Sequence, residues 1–414
     1  ARIIRFHHKS EIRTAPLCKH FSVCGGCKWQ HLPYSEQLKQ KQQQVYDAFE
    51  RLGKFAFSSM ADIIPSEKQL YYRNKLEFTF TSRRWLYANE IDGDTQIDNL
   101  TGLGFHIPGR FDKIIDVEHC YLQPDPSNSI RLFVKKWAVE HNITFWDIRG
   151  QLGILRNLII RNSSAGKVMV ILVVSKFFDG LQHLLDAVAA AFPEIISLQY
   201  VINEKKNDDI SDLEVILHKG DAFYIEKMGI LDFKVGPKSF YQTNSYQAGH
   251  LYNIVAELAG LTGKEIVYDL YTGTGTIACF VAAHCAKVIG VESIPEAIDN
   301  AKENAILNNL TNTQFFTGDM AKIFTNEFME LHGMPDVIIV DPPRAGMHPA
   351  VVEHLIVSGA EKIVYVSCNP ATQARDITMM ADNYSVAIVQ PIDMFPHTHH
   401  VENVVLLEKI MMAR

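Results

Sequence analysis

Cys368 follows the apolar run Ile363 to Val366 and leads into Asn369-Pro370. The segment Lys362-Ile363-Val364-Tyr365-Val366-Ser367 has the β-branched and aromatic content of a buried strand, so the thiol falls where that strand ends. In open parallel α/β sheets the ligand crevice lies at those carboxyl ends, which makes Cys368 a candidate nucleophile. Cys279 and Cys285 sit inside apolar runs and read as core thiols instead.

A second constellation is Val267-Tyr268-Asp269-Leu270-Tyr271-Thr272-Gly273-Thr274-Gly275-Thr276-Ile277-Ala278. It reads as strand, glycine loop, then helix, an arrangement that turns backbone N–H groups toward a nucleotide-like ligand. Gly273-x-Gly275-x-x-Ala278 also satisfies the dinucleotide fingerprint, and Glu292 ends the next strand, where a carboxylate can accept from ribose hydroxyls. A dehydrogenase could use that layout. Asp341-Pro342-Pro343-Arg344 argues otherwise, because hydride transfer has no evident need of a rigid Pro-Pro turn there; the prolines are expected to hold the Asp341 carboxylate outward. The third constellation is Phe395-Pro396-His397-Thr398-His399-His400-Val401-Glu402-Asn403. Its three histidines lack HExxH-type spacing, and Glu402 reads as a base.

The remaining cysteines gather near the N-terminus as Cys18-x5-Cys24-Gly-Gly-Cys27, with Cys120 as a plausible fourth thiolate. Three cysteines within ten residues, with Gly25 and Gly26 between two of them, suit one soft-ligand site. An iron-sulfur cluster would take all four thiolates. Zinc would accept three of them plus His20, His31 or His119.

These residues need elements to hold them. Tyr34 to Leu52, rich in Gln and Lys, reads as a helix. Lys75 to Phe80, Leu103 to His106, Leu158 to Arg161 and Val168 to Val174 read as antiparallel strands, with turns at Asp92-Gly93-Asp94 and Ser163 to Gly166. From about residue 240 strands alternate with helices: Ile266 to Leu270, Val288 to Val291, Val337 to Val340, Ile363 to Val366, Ser385 to Gln390 and Val404 to Lys409. That pattern predicts a doubly wound α/β sheet behind a β-rich front domain.

The 414 residues suffice for two or three domains, and 47% hydrophobic with 21% charged residues is an ordinary globular composition. The longest apolar stretches are too short to span a bilayer, and no signal-peptide core is present. Seven cysteines, several of them close together, suit a reduced, cytoplasmic setting better than a disulfide framework. The net charge of −7 hides an asymmetry: residues 1–89 hold fifteen Lys and Arg against seven Asp and Glu, so the rest of the chain carries −15. Screening limits fields to about 8 to 10 Å, so a basic segment can attract phosphates on an acidic protein. Arg73, Lys75, Arg83 and Arg84 are candidates for that grip. Nothing in the sequence points to an obligate protein partner.

Taken together, Cys18/Cys24/Cys27/Cys120, Tyr72-Arg73-Asn74-Lys75, Phe240-Tyr241-Gln242-Thr243-Asn244, Asp269 to Gly275, Asp341-Pro342-Pro343-Arg344, Ser367-Cys368-Asn369-Pro370 and His400-Val401-Glu402 resemble the RNA uracil-5-methyltransferases. The resemblance spans nearly the whole chain and is greatest to the iron-sulfur branch acting on 23S ribosomal RNA; related enzymes methylate transfer RNA. It implies a Rossmann-like class I S-adenosylmethionine methyltransferase sheet and a β-rich central domain carrying a [4Fe-4S] cluster on the four cysteines. The domains it implies are 1–30 (cysteine segment, joining the central domain), 31–62 (helical, packing on the catalytic domain), 63–235 (central, RNA-binding) and 236–414 (catalytic). It also implies cofactor contacts from Gln242, Tyr271, Gly273, Glu292 and Asp341, with Asp319 at the adenine edge, and substrate contacts from Phe240, Gln242, Asp341, Arg73 and Lys75. Many relatives carry a small β-barrel ahead of the cysteines, and Ile3 to His7 could be its last strand.

The chemistry asks for these residue types independently. Carbon 5 of uracil is too poor a nucleophile to attack a sulfonium methyl. Addition of the Cys368 thiolate at carbon 6 would place enolate charge on carbon 5, and Glu402 would later remove the carbon 5 proton so that the thiolate can leave. A stacked uracil must first be unstacked at a cost of a few kcal/mol, which gives a basic front domain a purpose. A dehydrogenase would have no use for Cys368, and a non-catalytic RNA-binding protein none for Cys368 with Glu402.

Overall fold

The computed structural model describes residues 5–91 and 100–411. The turn at Asp92-Gly93-Asp94 lies outside the described residues, as do Ile3 and Ile4; Arg5 to His7 are not in a strand. In chain order the strands are β1 (Phe57–Met60), β2 (Lys75–Thr81), β3 (Gly102–Ile107), β4 (Arg110–Asp116), β5 (Leu155–Asn162), β6 (Val168–Val174), β7 (Ile195–Ile202), β8 (Ile216–Gly220) and β9 (Tyr224–Met228). They continue as β10 (Leu231–Val235), β11 (Ile266–Leu270), β12 (Lys287–Glu292), β13 (Thr313–Thr317), β14 (Val337–Val340), β15 (Lys362–Ser367), β16 (Tyr384–Ile392) and β17 (Glu402–Lys409). The chain divides into two compact units.

The first unit comprises residues 1–33, 68–224 and 236–238. Its sheet has the order β4-β3-β2-β5-β6-β7-β8. Every residue of β5 and β6 is buried, as the run Val168-Met169-Val170-Ile171-Leu172-Val173-Val174 requires of a central strand covered on both faces. Not all the pairing is antiparallel: β6 and β7 run parallel, and the helix Leu181–Ala191 makes the crossover such a pair needs.

The second unit comprises residues 34–67, 225–235 and 239–414, and its sheet has the order β1-β16-β17-β15-β14-β11-β12-β13. Counted from β11, seven of these strands lie in the order 3-2-1-4-5-7-6. All pairs are parallel except those of β17, which runs antiparallel to both neighbours. The crossover helices start where the sequence signals a start, with Pro295, Pro349 and Pro370 in their first turns. Asn369 caps the last by accepting from the Ala371 N–H at 3.2 Å. Connections from β11 and β14 leave in opposite directions, so a crevice opens between their carboxyl ends.

The Gln- and Lys-rich helix is α-helical to Ala48 and widens into a π-turn over Phe49–Gly53. Phe49 is fully buried in the core of this unit, with the rings of Phe55 and Phe57 at 5.3 and 6.2 Å. Phe49→Ala should therefore lower stability by about 3–5 kcal/mol, measured by urea unfolding.

Candidate active site

Cys368 is the first residue past β15 and is half-buried. The antiparallel register pairs Ser367 with Asn403, so the next step along both strands sets Cys368 beside Glu402, the first residue of β17. A second network fixes the loop after β14. Asp376 accepts from the Tyr365 hydroxyl at 2.7 Å and the Met347 N–H at 2.8 Å, while Arg375 bonds both Asp376 and the Ala345 carbonyl. Asn369 and Thr372 donate to the Arg344 carbonyl at 3.0 and 3.2 Å. Gly346, at φ +79°, is needed in that loop: a Cβ there would lie 2.5 Å from Arg375 Nη2 and 2.6 Å from Asp376 Oδ2.

The loop delivers Arg344 and Asp341 to the thiol. Burial raises the Cys368 pKa and Glu402 raises it further, while the Arg344 guanidinium lowers it by charge and by a hydrogen bond. Glu402 is buried, and burial with Asp341 nearby pushes its carboxyl well above the usual range. Asp341 is half-buried, and burial together with Asp269 pushes its carboxyl up to about 7. Arg344 also reaches His400 Nδ1 at 3.5 Å. A thiol, a guanidinium and two carboxyls thus share one site, which can hold a thiolate and take up a proton.

The glycine turn follows β11 with Tyr271, Gly273 and Gly275 all at positive φ. Asp269, fully buried, accepts from Thr272 Oγ1 at 2.5 Å and the Ala278 N–H at 3.0 Å, and its other oxygen has no hydrogen-bond partner. Burial pushes it up to about 7. Tyr252, buried, shares a 3.1 Å hydrogen bond with Thr276 and has its pKa raised by burial and by Asp341, Asp269 and Glu402. Glu292 accepts from the Gly273 N–H at 3.3 Å and from Ser293 and Ile294, which fixes it at the end of β12. A Cβ at Gly273 would meet nothing within 4 Å, so the turn faces open space. Gln242 is buried, Phe240 is 67% exposed, and the Phe240 carbonyl accepts from Thr274. Asp319 is exposed and caps the helix Met320–Ile323 by accepting from the Ala321 N–H.

In the first unit Cys18, Cys24 and Cys27 are half-buried and Cys120 is buried. Burial pushes the Cys24 thiol up to about 11 and the Cys27 thiol to about 12, and Cys120 and Cys18 add to both. Gly25 is required by packing, since a Cβ would lie 2.3 Å from the His106 carbonyl oxygen. Asn128 holds the Cys120 backbone at both N–H and C=O, at 2.8 and 3.1 Å. Among the described residues no three His, Cys, Asp or Glu side chains converge on a position for a single metal ion. Arg73 and Lys75 are half-buried, with the Lys75 pKa lowered by burial and Arg161; Arg83 is exposed. Arg84 pairs with Glu90 through two bonds of 2.6 and 3.1 Å. Arg344, Asp269 and Tyr252 are the site residues that sequence reasoning left without a role; for Arg344 the signal was its place one residue past a rigid Pro-Pro pair.

The reversed seventh strand, the glycine turn after β11 and the acidic end of β12 define the fold of S-adenosylmethionine-dependent methyltransferases. A family model described as tRNA (Uracil-5-)-methyltransferase matches residues 225–410. An uncharacterized RNA methyltransferase of Bacteroides thetaiotaomicron is 55% identical over 412 residues, covering 99% of this chain and 91% of that protein. One of Chlorobaculum tepidum is 37% identical over 415 residues, covering 99% and 86%. Among solved structures, the tRNA (uracil-54, C5)-methyltransferase of Pyrococcus abyssi in complex with S-adenosyl-L-homocysteine superposes with a TM-score of 0.73 at 30% identity, covering 93% of this chain and 86% of that one. This chain belongs to the RNA uracil-5-methyltransferase family and is an enzyme of that type.

Removing the Arg344 cation takes away what lowers the Cys368 pKa, so less thiolate is present at a given pH. Arg344→Ala should move the pH midpoint of Cys368 alkylation upward by about one unit, followed by mass spectrometry of the Cys368 peptide during iodoacetamide treatment.

Proposed function

We propose that this enzyme methylates carbon 5 of a uridine in 23S ribosomal RNA, with Cys368 as nucleophile and Glu402 as base. The observation that carries the reading is the meeting of Cys368, Arg344, Glu402 and Asp341 at the carboxyl end of β15. S-adenosylmethionine, when bound, supplies an electrophilic methyl group. The open space beside Gly273, the fixed Glu292 carboxylate and the orphaned oxygen of Asp269 suit a polar nucleoside ligand, and the P. abyssi relative was solved with the demethylated product. Gln242, Tyr271, Gly273, Glu292 and Asp341 would hold the cofactor, with Asp319 toward the adenine.

Arg344 holds the thiolate, which adds to carbon 6 of the uracil; the ring electrons move toward carbon 5 and oxygen 4. Gln242 and Asp341 bond the pyrimidine edge, and Phe240 packs the unstacked base. After carbon 5 has taken the methyl, Glu402 removes the carbon 5 proton, the double bond re-forms and the thiolate leaves. A carboxyl raised by burial is the better base, because its pKa lies nearer the working pH.

Cys18, Cys24, Cys27 and Cys120, gathered in one unit, would hold a [4Fe-4S] cluster through their thiolates. They support the ribosomal-RNA branch, and the seven free cysteines support a cytoplasmic setting. Arg73, Lys75 and Arg83 would grip phosphates in rRNA processing. Transfer RNA is the second reading, favoured by the P. abyssi relative, whose substrate is uracil-54 of tRNA.

The test is tritium release from RNA labelled at uracil carbon 5, comparing ribosomal and transfer RNA. Release from ribosomal RNA alone is expected, abolished in Cys368→Ala; release from transfer RNA alone transfers the assignment to the second reading. Glu402→Gln should slow release by about 10²–10⁴-fold while a covalent RNA–protein adduct accumulates on denaturing gels. Since Cys368 and Glu402 must both be deprotonated and both are raised, the wild-type rate should climb with pH through neutrality and on into the alkaline range.

A further inference from the structure

Helix Tyr34–Ala48 buries an unusual stripe. Its inward positions are Gln37, Lys41, Val45 and Ala48, spaced as a core-facing face, yet Gln37 and Lys41 are fully buried where apolar residues are the rule. Both bond to the segment from Asp393 to His397, within the loop that joins β16 to β17 and ends at Glu402.

Lys41 Nζ donates to Asp393 Oδ1 at 2.5 Å and to the Phe395 carbonyl at 2.9 Å, and neither member of the ion pair is exposed. Tyr34 donates to the other Asp393 oxygen at 2.9 Å and accepts from the Ser66 N–H at 2.7 Å. Asp393 Oδ1 also accepts from the Phe395 N–H at 3.0 Å. Gln37 takes the His397 N–H at 2.8 Å and shares a 3.2 Å bond with its ring, at a residue held at φ +64°. From the other side Asn244, two residues past Gln242, donates to the Met394 carbonyl at 3.0 Å. Each bond has a fixed direction, and together they set the backbone of a loop whose next ordered element begins with Glu402.

A buried ion pair is poor evidence of stabilisation, because desolvation offsets most of the attraction and apolar residues of like volume often serve as well. What an apolar pair could not supply is a donor aimed at the Phe395 carbonyl. We propose that Lys41 and Asp393, with Tyr34 and Gln37, form a clamp that positions Glu402 against the reacting base. The inference rests on the reaction proposed above. Lys41 is a positioning residue: it touches neither base nor cofactor, and it acts on one step. In that step Glu402 takes the carbon 5 proton, the electrons of that C–H bond form the carbon 5–carbon 6 double bond, and the carbon 6–sulfur bond breaks to return the Cys368 thiolate. Addition of the thiolate and methyl transfer precede it and do not use Glu402.

That separation gives a readout a general structural defect would not produce. Lys41→Met should reduce tritium release at least tenfold while the covalent adduct rises several-fold and carries the methyl label. Binding of S-adenosylhomocysteine should stay within twofold of wild type. The double variant Lys41→Met with Asp393→Asn removes the unpaired buried charge but does not restore the bond to Phe395, so the adduct should accumulate there too. Tyr34→Phe, a milder change, should move both readouts the same way by a smaller factor, and it decides the matter if the Lys41 variants fail to fold. Folded variants that release tritium and form adduct as wild type does would overturn the clamp, and so would lost release with no adduct, the behaviour expected of Cys368→Ala. If the wild type itself gives no Cys368-dependent release, the reaction is wrong. If the wild type releases tritium and Glu402→Gln traps the adduct, but the clamp variants behave as wild type, only the clamp is wrong.

Discussion

The antiparallel pairing of β17 with β15 is the constraint on which the site depends. In a sheet of parallel strands every carboxyl end lies on one side, so a residue that begins a strand sits at the opposite edge from one that ends it. Reversing β17 brings its beginning to the edge where β15 finishes, and the register from Ser367↔Asn403 to Lys362↔Glu408 sets Glu402 beside Cys368. A slip of one residue would turn the Glu402 side chain to the other face. The register is locked from the side: Asn403 donates to Gln373 at 2.7 Å, and Gln373 donates in turn to the carbonyls of Tyr365 and Asn403.

With that register fixed, the electrostatics follow from burial. Asp269, Asp341 and Glu402 are acids drawn together in a region poor in water, and each raises the pKa of a neighbour. The Arg344 cation opposes the shift at Glu402. The result is a site whose acids hold protons at a pH where exposed carboxyls would have lost them, while the thiol beside the guanidinium is the group helped toward its anion.

Much of this was legible in the residues. Strands β11, β12, β14, β15 and β17 are short β-branched runs, and the sequence marks both Cys368 and the glycine turn by position. Strand β13, Thr313–Thr317, escaped because Thr-Gln-Phe-Phe-Thr at a sheet edge, with one residue buried, lacks an apolar run. The parallel step from β6 to β7 escaped because pairing direction is set by the crossover helix and not by strand composition. The raised pKa of Asp341 could not be read either: proline fixes its own φ but leaves the preceding carboxyl to whatever surrounds it. Lys41 looked like one more solvated lysine, since nothing local distinguishes a charge that will meet its partner 352 residues later.

That distance has a consequence for how the molecule comes to exist. The second unit is assembled from residues 34–67, 225–235 and 239–414, the first of these separated from the others by the bulk of the first unit, and its edge strand β1 pairs with β16 near the other end. During synthesis Phe49, Lys41 and the β1 edge must wait until residues 384–409 have been made, whereas residues 68–224 can complete their own sheet long before. Contacts of such sequence separation form late, because closing a long loop costs entropy before any contact rewards it. The catalytic edge is therefore among the last parts of the protein to form, and a chain stopped short of Asp393 carries a charged lysine with no carboxylate to meet and an open sheet edge.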